Sequence, residues 1–295
     1  MEMTTLSMGS SLDVRRPTRP SAVWKRSAVA AVGMMLCALS VTAKSLVPQS
    51  AWQWLAALPP EDGAVLAVGV EVAFAALPLV TTCAVLAVVG RREQATLRGL
   101  LRVGGRRGAG WAVCATVFTA GLTLAGCVLA QTLPWQPRSA PTRLPDIAWP
   151  LFALVVLAKA FLMQGIPEEL WFRGFAWRYG RELPWLTLTV TTAVFTLLHL
   201  TSSGGQQTTG ERMLYLVLPL GMGFLAGCVR WCTGSVWAAA GVHGGMHVGF
   251  APAMWAQIGM GPMTWVTVGA LLTAAAVALL CWRRLWLPTG GSPRR

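Results

Sequence analysis

The stretch AWPLFALVVLAKAFLMQGIPEELWFRG, Ala148 to Gly174, decides the fold. From Ala148 to Ile166 it is apolar apart from Lys159 and Gln164, and as a helix it is long enough to cross about 30 Å of hydrocarbon. The run then meets Glu168, Glu169 and Arg173. Charges within or at the edge of a membrane span are costly unless paired, so they mark a functional site by default. Residues four apart share a helix face, which predicts a Glu169–Arg173 pair. Glu168 lies about 100° round the axis and stays available for chemistry.

The rest of the 295-residue chain has the same character. It is 55% hydrophobic and 12% charged, with a mean hydropathy of +0.56, which excludes an ordinary soluble enzyme. The formal charge of +13 invites a nucleic-acid reading. The arginines, however, sit in short blocks between apolar runs, the pattern of cytoplasmic loops, so no nucleic-acid partner is expected. Seven cysteines (Cys37, Cys83, Cys114, Cys127, Cys228, Cys232 and Cys281) fall almost entirely in apolar runs and form no C-x-x-C pair. They read as packing residues.

Working outward from Ala148, the pattern predicts an all-α, polytopic membrane helix bundle of about eight transmembrane helices. Upstream lie a Pro-rich loop (Pro134 to Pro145), a third span Trp111 to Leu133 and an Arg-rich connection Arg91 to Gly110. Before these come a second span Ala64 to Val89, holding Glu71 and Pro78, and a first span Ser27 to Ala43. Glu71 has no obvious partner. Val41-Thr42-Ala43 resembles a signal cleavage site, but the long leading tail and the spans that follow favour an uncleaved first helix. Downstream come a turn at Gly180 to Pro184, a fifth span Trp185 to Leu200, a polar connection Thr201 to Gly210, and spans Met213 to Val229, Ser235 to Ala256 and Thr264 to Trp282. The expected units are a flexible basic cytoplasmic tail at 1–22, three spans with the Arg-rich loop at 23–147, a catalytic four-span unit at 148–256, and a last span with a basic tail at 257–295.

Placing both termini in the cytoplasm puts nineteen Lys and Arg residues in the inner segments. Four remain outside (Lys44, Arg138, Arg143 and Arg212), with Lys159 inside a span. That bias fixes the expected orientation of a multi-pass cell-membrane protein.

All three histidines fall in apolar surroundings: His199 near the end of span five, and His243 and His247 in span seven. A lone histidine there reads as a satisfied core residue, but three beside a carboxylate pair read as a site. Counting from the cytoplasmic edge at ~1.5 Å per residue brings Glu168, His199 and His243 to roughly 15, 22 and 20 Å depth. His243 and His247 share a face.

Glu168-Glu169-x-x-x-Arg173-Gly174, then Phe195-x-x-x-His199, then His243-x-x-x-His247 resembles the motif series of the CPBP family of intramembrane proteases. This family, also called Abi or CAAX proteases, includes the type II CAAX prenyl endopeptidases and enzymes linked to bacteriocin processing. The resemblance covers about Leu151 to Phe250. It implies a glutamate-type endopeptidase in which Glu168 and His199 activate a water and Arg173 holds Glu169. It further implies that His243 and the residue four later stabilise the oxyanion. That later position is usually Asn in the family and is His247 here. The resemblance and the preference for Arg over Lys point to a bacterial source.

The residues themselves leave alternatives open. Peptide hydrolysis needs a base near a water and donors aimed at the oxyanion, and no cofactor is then required. Glu168, His199, His243 and His247 could instead hold zinc, since three nitrogens and one oxygen suit that ion. The same buried Glu and His could form the relay of a proton-coupled carrier, although the two halves show no inverted repeat. A catalytically inactive scaffold of the same fold is a further reading. The expected partners are the lipid bilayer and a membrane-associated protein or peptide substrate, whose identity the residues do not disclose.

Overall fold

Apolar runs separated by Arg-, Gly- or Pro-bearing breaks become helices whose lipid-facing sides stay apolar. The computed structural model describes residues 19–92, 97–101, 105–133, 148–180, 182–202 and 204–286. Most of the expected tail, the Pro-rich loop and the last nine residues lie outside them. In chain order the helices are α1 (Pro20–Val41, extended by a 3₁₀ turn Thr42–Leu46), α2 (Gln49–Ala56), α3 (Pro60–Arg92), α4 (Leu97–Leu101) and α5 (Gly105–Gln131). There follow α6 (Trp149–Leu157), α7 (Ile166–Glu169), α8 (Pro184–Leu198), α9 (Thr209–Tyr215), α10 (Val217–Thr233), α11 (Val236–Trp255) and α12 (Pro262–Trp286). π-helical turns at Ala158–Gly165 and Leu170–Phe175 and a 3₁₀ turn at Ala176–Tyr179 join α6 and α7 into one run.

Among the described residues, seven helical stretches are long and apolar enough to cross a membrane. A further long helix, α11, is not among these seven; its 20 residues include His243, His247 and four glycines and are mostly buried. It lies against α5 with almost no gap: a Cβ at Gly241, Gly245 or Gly249 would fall 2.4, 2.6 or 2.4 Å from the carbonyl oxygens of Ala112, Thr116 and Ala120. In lipid the hydrophobic effect does not hold helices together, so small residues that let backbones approach do that work. Outward faces carry apolar side chains such as Val32 and Leu39 on α1, Val117 and Phe118 on α5, and Leu154 and Leu157 on α6.

The Arg-bearing segments gather at one end of the bundle. Arg26 Nη1 donates to the Phe175 carbonyl at 2.9 Å and Arg230 Nε to the Arg173 carbonyl at 2.8 Å. Arg283 lies 4.3 Å over the Trp231 ring, and Trp237 Nε1 donates to the Leu101 carbonyl at 2.8 Å. At the other end Trp149 meets Trp255 with ring centroids 5.3 Å apart, and Gln131 Nε2 donates to the Gly259 carbonyl at 2.9 Å.

Four details correct the sequence reading. The first helix begins at Pro20, and Arg26, expected ahead of the span, is buried inside it; its guanidinium caps a carbonyl at the end of the Tyr179 run, where a cation is favoured. Glu71 does have partners: Lys44, and Lys159 at 3.0 Å, both distant in sequence. The Arg-rich and α1–α3 connections contain the short helices α4 and α2. The polar connection after His199 ends early, because Thr208 caps α9 by accepting from Glu211 N at 3.1 Å while Glu211 Oε2 accepts from Gln207 N at 2.7 Å. This reciprocal arrangement starts a helix without help from apolar periodicity.

Candidate active site

Pro167 sits in the α7 turn inside this continuous helical run, where it has no N–H to give to the preceding turn. The π-helical turns on either side then set the two glutamates facing into the bundle. Such turns recur at functional sites because they re-aim side chains that a regular helix would stack.

Glu169 and Arg173 are fully buried and pair at 3.2 Å, as their spacing predicts. The guanidinium also donates from Nη2 to the Gly223 carbonyl on α10 and sits 5.0 Å from the Phe195 ring centroid. Glu169 Oε1 takes a second hydrogen bond, from His243 Nδ1 at 3.2 Å. Nothing in the sequence pairs these two residues, since the contact bridges α7 and α11. A buried charge pair is tolerated when further hydrogen bonds offset its desolvation; Gly223 and His243 supply two, with Arg173 Nη2 and Glu169 Oε1.

Glu168 is differently placed. Its Oε2 has no hydrogen-bond partner among the described residues and stands 3.9 Å from His243 Nε2, beyond direct hydrogen-bond range. The carboxylate lines a cavity of about 510 Å³ together with His199, His243 and His247. All four residues expected to act chemically therefore meet one space.

Hydrogen bonding sets the roles of the ring nitrogens. His199 Nδ1 donates to the Phe195 carbonyl at 2.9 Å, so Nε2 is left with its lone pair. The Phe195 ring packs 4.5 Å from His199 and 5.9 Å from His243, which fixes both imidazoles at once. His247 stacks on His243 at 5.3 Å. From its place in the motif Phe195 is expected only to support the site; its four-residue spacing to His199 is the signal that its carbonyl could orient the ring. Gly223 and Tyr215, which lines the cavity with Trp265 edge-on against it, had no such signal.

Residues 148–249 match the family model described as type II CAAX prenyl endopeptidase Rce1-like. That region, about a third of the chain, is similar to the CAAX protease family. No curated protein and no solved structure matches the chain. The match and the seven helices long and apolar enough to cross a membrane together support a multi-pass membrane protein similar to intramembrane endopeptidases. The matched region ends before α12 and begins after α5, yet the cavity also draws on Met34, Cys37 and Val41 of α1 and Trp265 of α12. Among the described residues no group of three or more His, Cys, Asp and Glu side chains is disposed to hold a metal ion. The zinc set considered from sequence does not converge on a point; His243 instead spends Nδ1 on Glu169.

Proposed function

We propose that the chain hydrolyses a peptide bond of a membrane-associated protein, with Glu168 and His199 activating water and His243 and His247 stabilising the oxyanion. The observation that carries this reading is the shared cavity, into which Glu168 brings a carboxylate oxygen without a partner. A base must lie within reach of the proton it removes; Glu168, with Oε2 unpartnered, and His199, with its Nε2 lone pair, both line the cavity that would hold the water.

The reaction runs as follows. Water gives a proton to the Glu168–His199 pair while its oxygen attacks the carbonyl carbon, and the carbonyl π electrons move onto oxygen. The oxyanion accepts hydrogen bonds from the histidines of α11. His247 supplies one N–H from a neutral ring. His243 has its Nδ1–H on Glu169, so it donates from Nε2 only when it carries both protons, and the glutamates flanking it supply the counter-charge. Collapse of the tetrahedral intermediate breaks the C–N bond, and the proton held by the pair passes to the leaving amine. Glu169 and Arg173 act as positioning residues through His243. In a water-poor cavity these electrostatic contacts are stronger than in bulk solvent.

The test compares membrane fractions from cells producing the parent chain, Glu168→Gln and His199→Ala, reading new peptide termini by mass spectrometry. Termini that appear with the parent and vanish in both variants are expected. Equal cleavage by Glu168→Gln would remove that carboxylate from the chemistry.

A further inference from the structure

The catalytic cavity occupies only one half of the bundle. Its walls come from the late part of α1, the segment just before Glu168, the end of α8 and the start of α10 and α12. Among its lining residues, Val41, Thr201, Ser202, Gly204 and Met260 lie at the end of the bundle remote from the Arg-bearing segments. Thr201 and Gly204 are exposed there. Toward the Arg-rich end the way is shut. Directly beyond the glutamates, Leu170 and Trp171 to Ala176 form an unbroken buried block, with Trp171, Phe172, Arg173, Phe175 and Ala176 at 0% exposure.

Charge then decides which side each end faces. Among the described residues thirteen Lys and Arg belong to segments at the closed end, and two, Lys44 and Arg212, to segments at the open end. A bias of this size sets orientation, with the rich side in the cytoplasm. The structure adds that Arg26, Arg230 and Arg283 make their contacts at the same end, around the Arg173 and Phe175 carbonyls and Trp231.

We propose that the cavity opens to the non-cytoplasmic side of the membrane, so that the bond cleaved lies in a segment of a membrane protein presented from that side. A tail lying on the cytoplasmic surface would meet the buried block, not the glutamates. The substrate part of this inference rests on the protease reading above; the orientation of the mouth does not.

The chain provides its own probes, since its only lysines are Lys25, Lys44 and Lys159. Lys25 is exposed at the closed end, and Lys44 is 44% exposed beside the open end. Intact cells producing the full, unmodified chain are treated with a membrane-impermeant sulfonated succinimidyl ester, inverted membrane vesicles likewise, and the adducts are located by mass spectrometry. The expected result is modification of Lys44 and loss of it at Lys25 in intact cells, reversed in the vesicles. Ser202→Cys, treated with an impermeant maleimide and read at residue 202, should label only from outside. Modification of Lys25 from outside, or failure of Lys44 to be modified from outside, overturns the proposal. These adducts report the side of the mouth whether or not the chain cuts peptides, and cleavage lost in Glu168→Gln reports hydrolysis whichever side the mouth faces.

Discussion

At the scale of the residue, adjacent glutamates acquire different work from their surroundings alone. Glu169 Oε1 is held by both Arg173 and His243, whereas Glu168 has no hydrogen bond to its Oε2 among the described residues and lines the cavity. Glu168→Gln should therefore lower proteolysis by about 10²–10⁴-fold, the range that a general base contributes, with little change in thermal unfolding of the detergent-solubilised protein. Glu169→Ala should do the reverse in emphasis. It strands Arg173 in a fully buried site, and breaking such a pair costs about 3–5 kcal/mol, seen as a lowered unfolding midpoint; an unchanged midpoint would contradict the pairing. His247 separates two chemistries. As an oxyanion donor it should be replaced by Asn with most activity kept, while loss of the donor in His247→Ala should cost about 10²–10³-fold. A metal ligand would behave otherwise: His247→Asn would then fail, and exhaustive chelation would inactivate the parent.

At the scale of the element, the helices were legible wherever apolar length alone specifies them. The Glu169–Arg173 pair and the common level of Glu168, His199 and His243 followed from spacing and from the rise per residue. Contacts between helices distant in sequence were not legible: Glu71 with Lys44 and Lys159, Glu169 with His243, and Arg173 with Gly223. Nor were the π-helical turns around Pro167, since hydropathy has no period that distinguishes them from an α-helix. The glycines of α11 carried a readable but unread signal, one every four residues from Gly241 to Gly249, facing α5. Gly245→Leu should prise α11 from α5, because a Cβ there already falls 2.6 Å from the Thr116 oxygen, and overpacking alone costs about 1–3 kcal/mol. Since α11 carries His243 and His247, activity should fall together with the unfolding temperature. Gly110→Ala on α5, where a Cβ meets nothing within 4 Å, should change neither; equal tolerance of both substitutions would show that close approach is not what seats α11.

At the scale of the whole molecule, the question is whether the helices outside the matched region are mere anchors. The packing of α1 says otherwise. Gly33 admits the Trp171 ring so closely that a Cβ there would lie 2.4 Å from it, and Arg26 holds the Phe175 carbonyl at 2.9 Å. Met34, Cys37, Ala38 and Val41 wall the cavity, and Cys37 Sγ lies 2.8 Å from Thr82 Oγ1, tying α1 to α3. Removing α1 would open the site to lipid and uncover Trp171, which is 0% exposed; fully burying one large apolar side chain is worth about 1.5–3 kcal/mol before any polar contact is counted. The sequence Val41-Thr42-Ala43 that resembles a cleavage site lies in the last turn of α1 and the 3₁₀ turn after it, so cutting there would sever the helix from Lys44, the partner of Glu71. Active protein purified from membranes should accordingly retain residues 20–46, read as peptides spanning Ala43–Lys44 and as intact mass. A chain produced from Val47 onward should be inactive, and supplying residues 1–46 as a separate membrane peptide in the same cells should restore part of the cleavage. Full activity in the shortened chain without that peptide would reduce α1 to an anchor.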